Sequence, residues 1–221
     1  LDSTNNYARG LAERGCADGM TVIAAQQTSG KGRLGRKWES PAGKGIYMSI
    51  VLRPHVAPAQ TQILTLAAAV AVVRAIQSTT GVAAGIKWPN DIIADGRKLC
   101  GILLETSCEA ERVNYIILGI GINYSQEEKD FPEELREKAI SLKTAALTNE
   151  TLFDEAGRNV ARRSEATICD AHGCGQVGIV SKLSLVRTLL RELDIAVHYI
   201  LSDESSKILE LWRKHSSTLG R

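Results

Sequence analysis

The order of apolar and polar positions along the chain predicts a sheet followed by helices. Runs typical of strands, either continuously apolar or alternating, occupy residues 20–25, 46–52, 84–88, 92–94, 99–106 and 113–124. Helical periodicity occupies residues 6–14, 59–79, 132–147, 182–200 and 204–216. The second of these helices is apolar on every side, so we expect it to be buried. Because strands come first and helices later, we expect an α+β fold in which a mixed β-sheet is covered by helices.

The last predicted strand has one face without large side chains. Side chains alternate along a strand, so Gly119, Gly121 and Asn123 share a face. Glycine inside a strand is destabilising and often marks a place where a ligand approaches the backbone closely. A β-bulge or tight helix packing explains the same glycines equally well, and the pattern alone does not choose among them.

A glycine-rich, cationic segment follows the first predicted strand. Residues 30–38 contain three glycines and four cations, in the order Gly-Lys-Gly-Arg-Leu-Gly-Arg-Lys-Trp. Backbone N–H groups of such a loop can form an anion-binding concavity, and Lys and Arg add charge-assisted hydrogen bonds. The segment lacks the Gly-Lys-Ser/Thr ending of a P-loop and the fingerprint of a Rossmann turn. It predicts a phosphate-bearing ligand, with a solvated basic turn as the alternative.

A second polar cluster, Lys-Trp-Pro-Asn-Asp, occupies residues 87–91 at the end of a predicted strand. A strand end explains any one of these residues, but the whole group, with a Trp expected to be buried, predicts convergence on a ligand. Asp95 and Gly96 then predict a hairpin turn that places Lys98 at the start of the returning strand. Lys98 is either a solvated cation or a contact for developing negative charge on a phosphate or carboxylate oxygen.

Composition narrows the class of protein. The chain has 221 residues, 44% of them hydrophobic, which is enough for one substantial core. Its formal charge of +2 argues against a general nucleic-acid binder, and we expect no signal peptide. We expect no apolar run to reach the roughly 18 residues that cross a bilayer, and hence no membrane association. Five scattered cysteines suit a reducing, cytoplasmic compartment better than a disulfide framework.

Two further expectations concern the organisation of the chain. Residues 149–181 are predicted to be a polar surface insertion, in which Cys169 and Cys174 show no tetrahedral zinc spacing. The chain starts at Leu1 without a methionine and stops at Arg221 just past a helical pattern. We therefore expect it to be a fragment.

Five segments, taken in order, resemble the motifs of the catalytic domain of biotin–protein ligases, also called biotin–[acetyl-CoA-carboxylase] ligases. They are Asp-Ser-Thr-Asn at 2–5, the segment 27–38, the cluster 87–91, Arg-Lys-Leu-Cys-Gly-Ile-Leu-Leu-Glu at 97–105 and Gly-Ile-Gly-Ile-Asn at 119–123. The resemblance implies one catalytic domain over residues 1–221, with the fold shared with class II aminoacyl-tRNA synthetases. It also implies that the N-terminal winged helix and the C-terminal β-barrel of other members are missing, so DNA binding through this chain is not expected.

The resemblance implies a two-step reaction. Biotin and ATP, with Mg²⁺, form biotinyl-5′-adenylate, and the biotinyl group then passes to a lysine of the biotin carrier domain of a carboxylase. Lys98 and Arg33 are the implied catalytic residues. The implied biotin contacts are Ser3, Thr4, Asn5, Gln27, Gly30, Lys31, Gly32, Arg33, Lys98, Gly101, Gly119 and Gly121. The implied ATP contacts are Arg33, Arg36, Trp38, Asn90, Asp91 and Asn123, of which Asp91 is also the implied Mg²⁺ ligand.

One departure and two rival functions accompany this resemblance. Lys31 stands where the family usually has arginine, so the charge is kept while bidentate geometry is lost. A lipoate–protein ligase of the related fold is the nearest rival, but it lacks the basic glycine-rich loop in this form. A non-catalytic module that binds RNA or phosphate is the second rival; it predicts salt-sensitive polynucleotide binding and no ATP turnover.

Overall fold

The computed structural model describes residues 1–54, 56–109, 112–150 and 181–218, and five α-helices and six strands fall within them. The strands are β1 (Thr21–Ala24), β2 (Gly45–Leu52), β3 (Gly85–Lys87), β4 (Asp91–Ala94), β5 (Arg97–Glu109) and β6 (Arg112–Asn123). The helices are α1 (Thr4–Glu13), α2 (Thr61–Thr80), α3 (Leu142–Glu150), α4 (Lys182–Leu201) and α5 (Ser205–His215).

The six strands form one sheet in the order β1-β2-β6-β5-β4-β3. Every ladder between neighbouring strands is antiparallel, and the long β5–β6 hairpin supplies the two middle strands. Parallel pairing is confined, within the described residues, to the isolated bridges Ile86–Ser216 and Lys98–Ala139, which make the sheet mixed. The predicted α+β fold is confirmed.

The two faces of the sheet bury different things. Even-numbered residues of the middle strands, such as Ile102 and Ile120, belong to the main core together with residues of α2, α4 and α5. The odd-numbered face carries a smaller cluster under α1, in which Ile117 packs with Ala8 and Ala12. Beyond Ile117 this face bears glycines in place of large apolar side chains, so the sheet is left uncovered there by its own residues.

Helix α2 is the centre of the main core. Ten of its residues are buried, and Gly81, with φ of 70°, ends it in a left-handed turn. By length and composition α2 could cross a membrane, so the expectation that no apolar run reaches that length is wrong. Its residues pack instead against α4, α5 and the sheet, as an all-round apolar helix requires.

The helix predicted over residues 132–147 is wrong in its first half. Glu133–Leu135 forms a 3₁₀ turn, and α3 begins only at Leu142. Between them the chain runs beside the start of β5, where the Lys98 N–H donates to the Lys138 carbonyl (2.7 Å) and the Ile140 N–H donates to the Lys98 carbonyl (2.9 Å). Burial of Ile140 outweighs local helix propensity here, and the pairing fixes the backbone of Lys98.

The expected burial of Trp88 is also wrong, since its side chain is 64% exposed. Trp88 follows β3, which is an edge strand, so no further strand lies beyond it to cover the ring within the described part of the chain. The predicted insertion at residues 149–181, with its Cys169 and Cys174, lies almost wholly outside the described residues.

Candidate active site

The candidate site is a small cavity between the N-terminus of α1, the odd-numbered face of β5 and β6, and the segment that joins β1 to β2. Its volume is about 50 Å³, which is room for a few water molecules. Every predicted biotin contact except Gly30 lines it, namely Ser3, Thr4, Asn5, Gln27, Lys31, Gly32, Arg33, Lys98, Gly101, Gly119 and Gly121. Of the other predicted nucleotide contacts, Trp38 and Asn90 also line it.

The glycine-rich loop, residues 30–37, is a narrow hairpin over this cavity. Lys31 pairs with Lys37 in an isolated antiparallel bridge, and Leu34 at the tip is 88% exposed with φ of 56°. Outside the loop lies an open cleft of about 720 Å³, and Lys31 and Arg33 line both spaces. The loop therefore lies between the cavity and the cleft, and its movement would join the two spaces.

The indole of Trp38 occupies the glycine floor of the cavity. A Cβ atom at Gly121 would lie 2.5 Å from Trp38 Nε1, and one at Gly101 would lie 2.8 Å from its ring carbon Cζ3. Pairing between β5 and β6 is regular through these glycines, so a bulge does not explain them. Trp38 Nε1 is buried and has no hydrogen-bond partner among the residues that the structure describes. Because an unpaired buried donor is unfavourable, this N–H is ready for an acceptor on a ligand.

Gly119 serves a different purpose, which is the close packing of α1 on the sheet. A Cβ atom there would overlap the Oδ1 atom of Asn5. The fully buried Ser49 on β2 places its single hydroxyl hydrogen between Asn5 Oδ1 (2.6 Å) and Thr4 Oγ1 (2.7 Å). On its other side Asn5 Nδ2 donates to Glu105 Oε2 at 2.7 Å. Tight helix packing is therefore the correct interpretation of this one glycine.

Gln27 ties the segment after β1 to the first turn of α1. Its Oε1 accepts from the Thr4 N–H (2.8 Å) and the Thr4 hydroxyl (3.0 Å), and its Nε2 donates to Ser40 Oγ (2.8 Å). Ser3 caps the same helix through its hydroxyl oxygen. Since an amide nitrogen carries two hydrogens, Gln27 keeps one donor for a ligand. Gly30 does not line the cavity; a Cβ atom at this position would overlap the Trp38 carbonyl.

Lys98 brings a positive charge to the edge of the cavity. Its Nζ atom lies 2.7 Å from Asp91 Oδ1 and 5.4 Å from the centroid of the Trp38 ring. The ammonium therefore lies between a carboxylate and the face of an indole. An anionic group on a ligand would be attracted to this position.

Arg33 reaches from the glycine-rich loop to the edge of the sheet. Its Nη1 donates to Asn90 Oδ1 at 3.0 Å. The Asn90 side chain in turn donates to the Ile102 carbonyl (2.8 Å), and the Ile102 N–H donates to the Asn90 carbonyl (3.0 Å). The two hydrogen bonds to Ile102 thus hold Asn90 against β5, and they leave its side-chain oxygen to accept from Arg33. Arg33 lines the same cavity as Lys31 and Lys98.

Three of the predicted nucleotide contacts do not line the cavity. Asn123 is 4% exposed, and its amide nitrogen lies 3.3 Å from the Lys98 carbonyl and 3.2 Å from the Ile140 carbonyl. In this structure Asn123 therefore supports the backbone of Lys98. Arg36 lines the outer cleft, and the Asp91 carboxylate is paired with Lys98.

Glu105 belongs to the site, although the sequence motif that contains it predicts no role for this residue. Its carboxylate contacts Asn5, and Oε1 lies 2.6 Å from Arg9 Nη2 and 3.5 Å from Lys31 Nζ. The two-residue period of β5 places Glu105 on the same face as Gly101, and this signal was present in the sequence. Ser49 was missed as well, because a serine inside an apolar strand carries no distinctive pattern.

The described residues provide neither a metal cluster nor a reactive thiol at this site. Across residues 1–54, 56–109, 112–150 and 181–218 no group of three or more His, Cys, Asp or Glu side chains could hold a metal ion. Asp91 is a single carboxylate paired with Lys98, so these residues do not by themselves form a Mg²⁺ site. Cys100 faces the main core, where burial raises the pKa of its thiol and keeps it neutral.

Comparisons with known proteins show which proteins the chain resembles. The family model described as the biotin/lipoate A/B protein ligase family matches residues 1–123. The chain is 47% identical over 146 residues to the bifunctional ligase/repressor BirA of Bacillus subtilis, a match that covers 66% of this chain and 45% of that protein. It is 41% identical over 124 residues to the biotin–[acetyl-CoA-carboxylase] ligase of Paracoccus denitrificans, covering 55% of this chain and 51% of that protein. The chain therefore spans about half the length of these curated relatives.

Among solved structures, the chain is similar to the biotin protein ligase from Aquifex aeolicus in complex with biotin and ATP. The match covers 100% of this chain and 77% of that chain, with a TM-score of 0.73 and 24% identity. At this level of identity the likeness concerns the fold.

Proposed function

The chain belongs to the biotin/lipoate A/B protein ligase family, and we propose that it activates biotin with ATP and transfers it to a carrier protein. In the first step a carboxylate oxygen of biotin attacks the α-phosphorus of ATP, the bond from that phosphorus to the β-phosphate breaks, and pyrophosphate leaves. The product is biotinyl-5′-adenylate. In the second step the amine of a carrier lysine attacks the biotinyl carbonyl, an amide bond forms, and AMP and a proton are released.

The observation that carries this proposal is the convergence of Lys31, Arg33 and Lys98 on one glycine-floored cavity. Adenylation brings two anions, a carboxylate and a triphosphate, into contact, and their repulsion must be offset. Positioned cations lower the free energy of a transition state in which negative charge develops on phosphate oxygens. Gly101 and Gly121 leave room for a compact bicyclic ligand once the Trp38 indole shifts.

Each group has an assigned task. We assign Lys98 to the reacting carboxylate and α-phosphate oxygens and Arg33 to the phosphate of the adenylate. Trp38, on the nucleotide side, offers its unpaired indole N–H, and Gln27 offers its remaining amide hydrogen. Mg²⁺ usually binds through one or two carboxylates together with substrate phosphates. Asp91 is the carboxylate that would contact it here, and no step is assigned to the ion.

The partners and setting belong to the same proposal. We take residues 1–221 as one catalytic domain and the acceptor as a carboxylase biotin carrier domain. The three cysteines that the structure describes are all free, which suits a reducing, cytoplasmic setting. Absence of DNA binding by this chain stays a prediction, because its relatives include a bifunctional ligase/repressor. Lipoate is the rival substrate, since the matched family covers both ligands.

One experiment tests the function directly. The protein is incubated with ATP and Mg²⁺ and with either biotin or lipoate, and the acyl-adenylate is measured by mass spectrometry. We expect biotinyl-adenylate and pyrophosphate with biotin and at most traces of adenylate with lipoate. Adenylate formed from lipoate alone would assign the rival activity. No ATP turnover, with salt-sensitive binding of polynucleotide, would favour a non-catalytic module.

A substitution in the glycine-rich loop tests how the intermediate is held. We expect Arg33→Ala to release pre-formed biotinyl-adenylate roughly ten- to a hundredfold faster, because hydrogen bonds from a charged donor contribute about 1.5–3 kcal/mol. Lys31→Ala should have a smaller effect, because an arginine fork holds phosphate through two hydrogen bonds and lysine acts as a point charge. Dissociation rates measured by stopped flow decide this. Equal rates for the two variants would contradict the assignment of Arg33.

A further inference from the structure

The carboxylate of Glu105 joins the strand that carries it to two other structural elements around the candidate site. It lies on β5, its Oε2 accepts from Asn5 of α1, and its Oε1 faces both Arg9 of α1 and Lys31 of the glycine-rich loop. The side chain is 24% exposed, so solvent only partly screens these interactions. We propose that Glu105 is a positioning residue that holds the glycine-rich loop closed and orients the Asn5 amide.

The first part of this proposal concerns the loop. The loop lies between the 50 Å³ cavity and the 720 Å³ cleft, and its opening joins these two spaces. Lys31 lies near one foot of the hairpin, and the 3.5 Å contact with Glu105 Oε1 joins that foot to the sheet. Opening the loop breaks this ion pair. The attraction between Glu105 and Lys31 therefore adds to the free energy that opening the loop requires.

The second part concerns the orientation of an amide. An ionised carboxylate only accepts hydrogen bonds, so it requires the Asn5 amide nitrogen to face it. The Asn5 oxygen is then turned toward Ser49 and fixed by that hydroxyl hydrogen. With a glutamine at position 105 either end of the Asn5 amide could face the neighbour, because the Ser49 hydroxyl can both donate and accept. The polar pattern that Asn5 presents to the cavity would no longer be unique.

Arg9 gives this proposal an opposite-sign test. Its guanidinium lies on the same oxygen, Glu105 Oε1, as the ammonium of Lys31, so the two cations compete for one partner and repel each other. Removing the charge of Arg9 should strengthen the attraction between Glu105 and Lys31. Removing the charge of Glu105 should abolish it. A residue that merely stabilised the fold would shift both variants in the same direction.

The first readout needs no ligand. Amide hydrogen exchange of residues 30–37 is measured in the ligand-free protein for wild type, Glu105→Gln, Arg9→Gln and Lys31→Met. We expect exchange about three- to fivefold faster in Glu105→Gln and slower than wild type in Arg9→Gln, in keeping with the weak energies of partly exposed ion pairs. Glu105→Gln combined with Lys31→Met should exchange no faster than Lys31→Met alone. Additive effects, or shifts of the same sign for Glu105 and Arg9, would overturn the proposal.

The second readout rests on the proposed function and uses the release rate of pre-formed biotinyl-adenylate. We expect release about fivefold faster in Glu105→Gln and slower than wild type in Arg9→Gln. The matched control is Glu192→Gln, which removes a similar pair, Arg74 Nε to Glu192 Oε2 at 2.5 Å, on the opposite face of the sheet. It should leave both readouts unchanged. If the wild type makes no adenylate, the proposed function fails, while loop exchange still decides the role of Glu105.

Discussion

Replacing Lys98 by alanine is expected to lower the rate of biotinyl-adenylate synthesis by about 10²–10³, with biotin affinity comparatively little changed. The reason is that a group aimed at developing charge contributes chiefly to the transition state, where its removal costs about 2.7–4 kcal/mol. The ammonium is already held at the cavity edge by Asp91 and the Trp38 ring. Single-turnover adenylation and equilibrium binding of biotin, measured on the same preparation, separate the two effects.

Two controls make this expectation sharp. Lys98→Ala leaves Asp91 without its ion-pair partner, so the double variant with Asp91→Asn is needed as well. If the loss came only from the unpaired carboxylate, the double variant would turn over as fast as Asp91→Asn alone, and we expect it to remain far slower. Lys207→Ala removes a lysine of α5 that is paired with Glu204, and it should turn over like wild type. Adenylation at the wild-type rate in Lys98→Ala would show that Lys98 is a surface cation.

Gly119→Ala is the second substitution with a large expected effect. The added Cβ atom would overlap Asn5 Oδ1, and Asn5 cannot simply move because Ser49 and Glu105 hold both ends of its amide. Overpacking a well-packed site costs about 1–3 kcal/mol, which corresponds to roughly a 5- to 150-fold loss in biotin affinity if the strain is expressed in the site. Isothermal titration with biotin, with thermal unfolding alongside, measures both consequences.

A helical glycine offers the matched control for this substitution. Gly10 lies in α1, and a Cβ atom there would meet only the end of the flexible Arg14 side chain, at 3.4 Å. Gly10→Ala should therefore keep biotin affinity and raise stability, because alanine favours the helix by about 1 kcal/mol over glycine. The double variant Gly119→Ala with Asn5→Ala should regain thermal stability without regaining affinity. Wild-type biotin affinity in Gly119→Ala would contradict the packing of Asn5 described above.

Local patterns were enough to predict most elements and much of the site. Alternation along β5 and β6 is imposed by the pleat, so the face that carries Gly119 and Gly121 could be identified before any contact was known. The cations of the glycine-rich loop were predicted to line a binding site, and Lys31 and Arg33 do line the cavity.

What could not be predicted depends on partners that are distant in sequence. The segment around Ile140 has helical periodicity, yet it pairs with Lys98, about forty residues away, and this pairing decides its conformation. Asn123 shares a face with the floor glycines, but whether its amide meets a ligand or two backbone carbonyls depends on that same pairing. Glu105 was missed because its partners come from α1 and the glycine-rich loop.

The two faces of β5 and β6 serve different purposes, one in the core and one at the cavity, and this affects how the sequence of such a protein can evolve. Side chains at even-numbered positions, such as Ile102 and Ile120, pack in the main core, so an unfavourable substitution there destabilises the whole fold. Odd-numbered positions, such as Gly101 and Gly121, are constrained instead by the Trp38 ring that lies against them and by any ligand in the cavity. Selection can therefore act on ligand preference and on folding through alternate residues of the same two strands. A scaffold built this way can change its ligand preference while its main core stays intact.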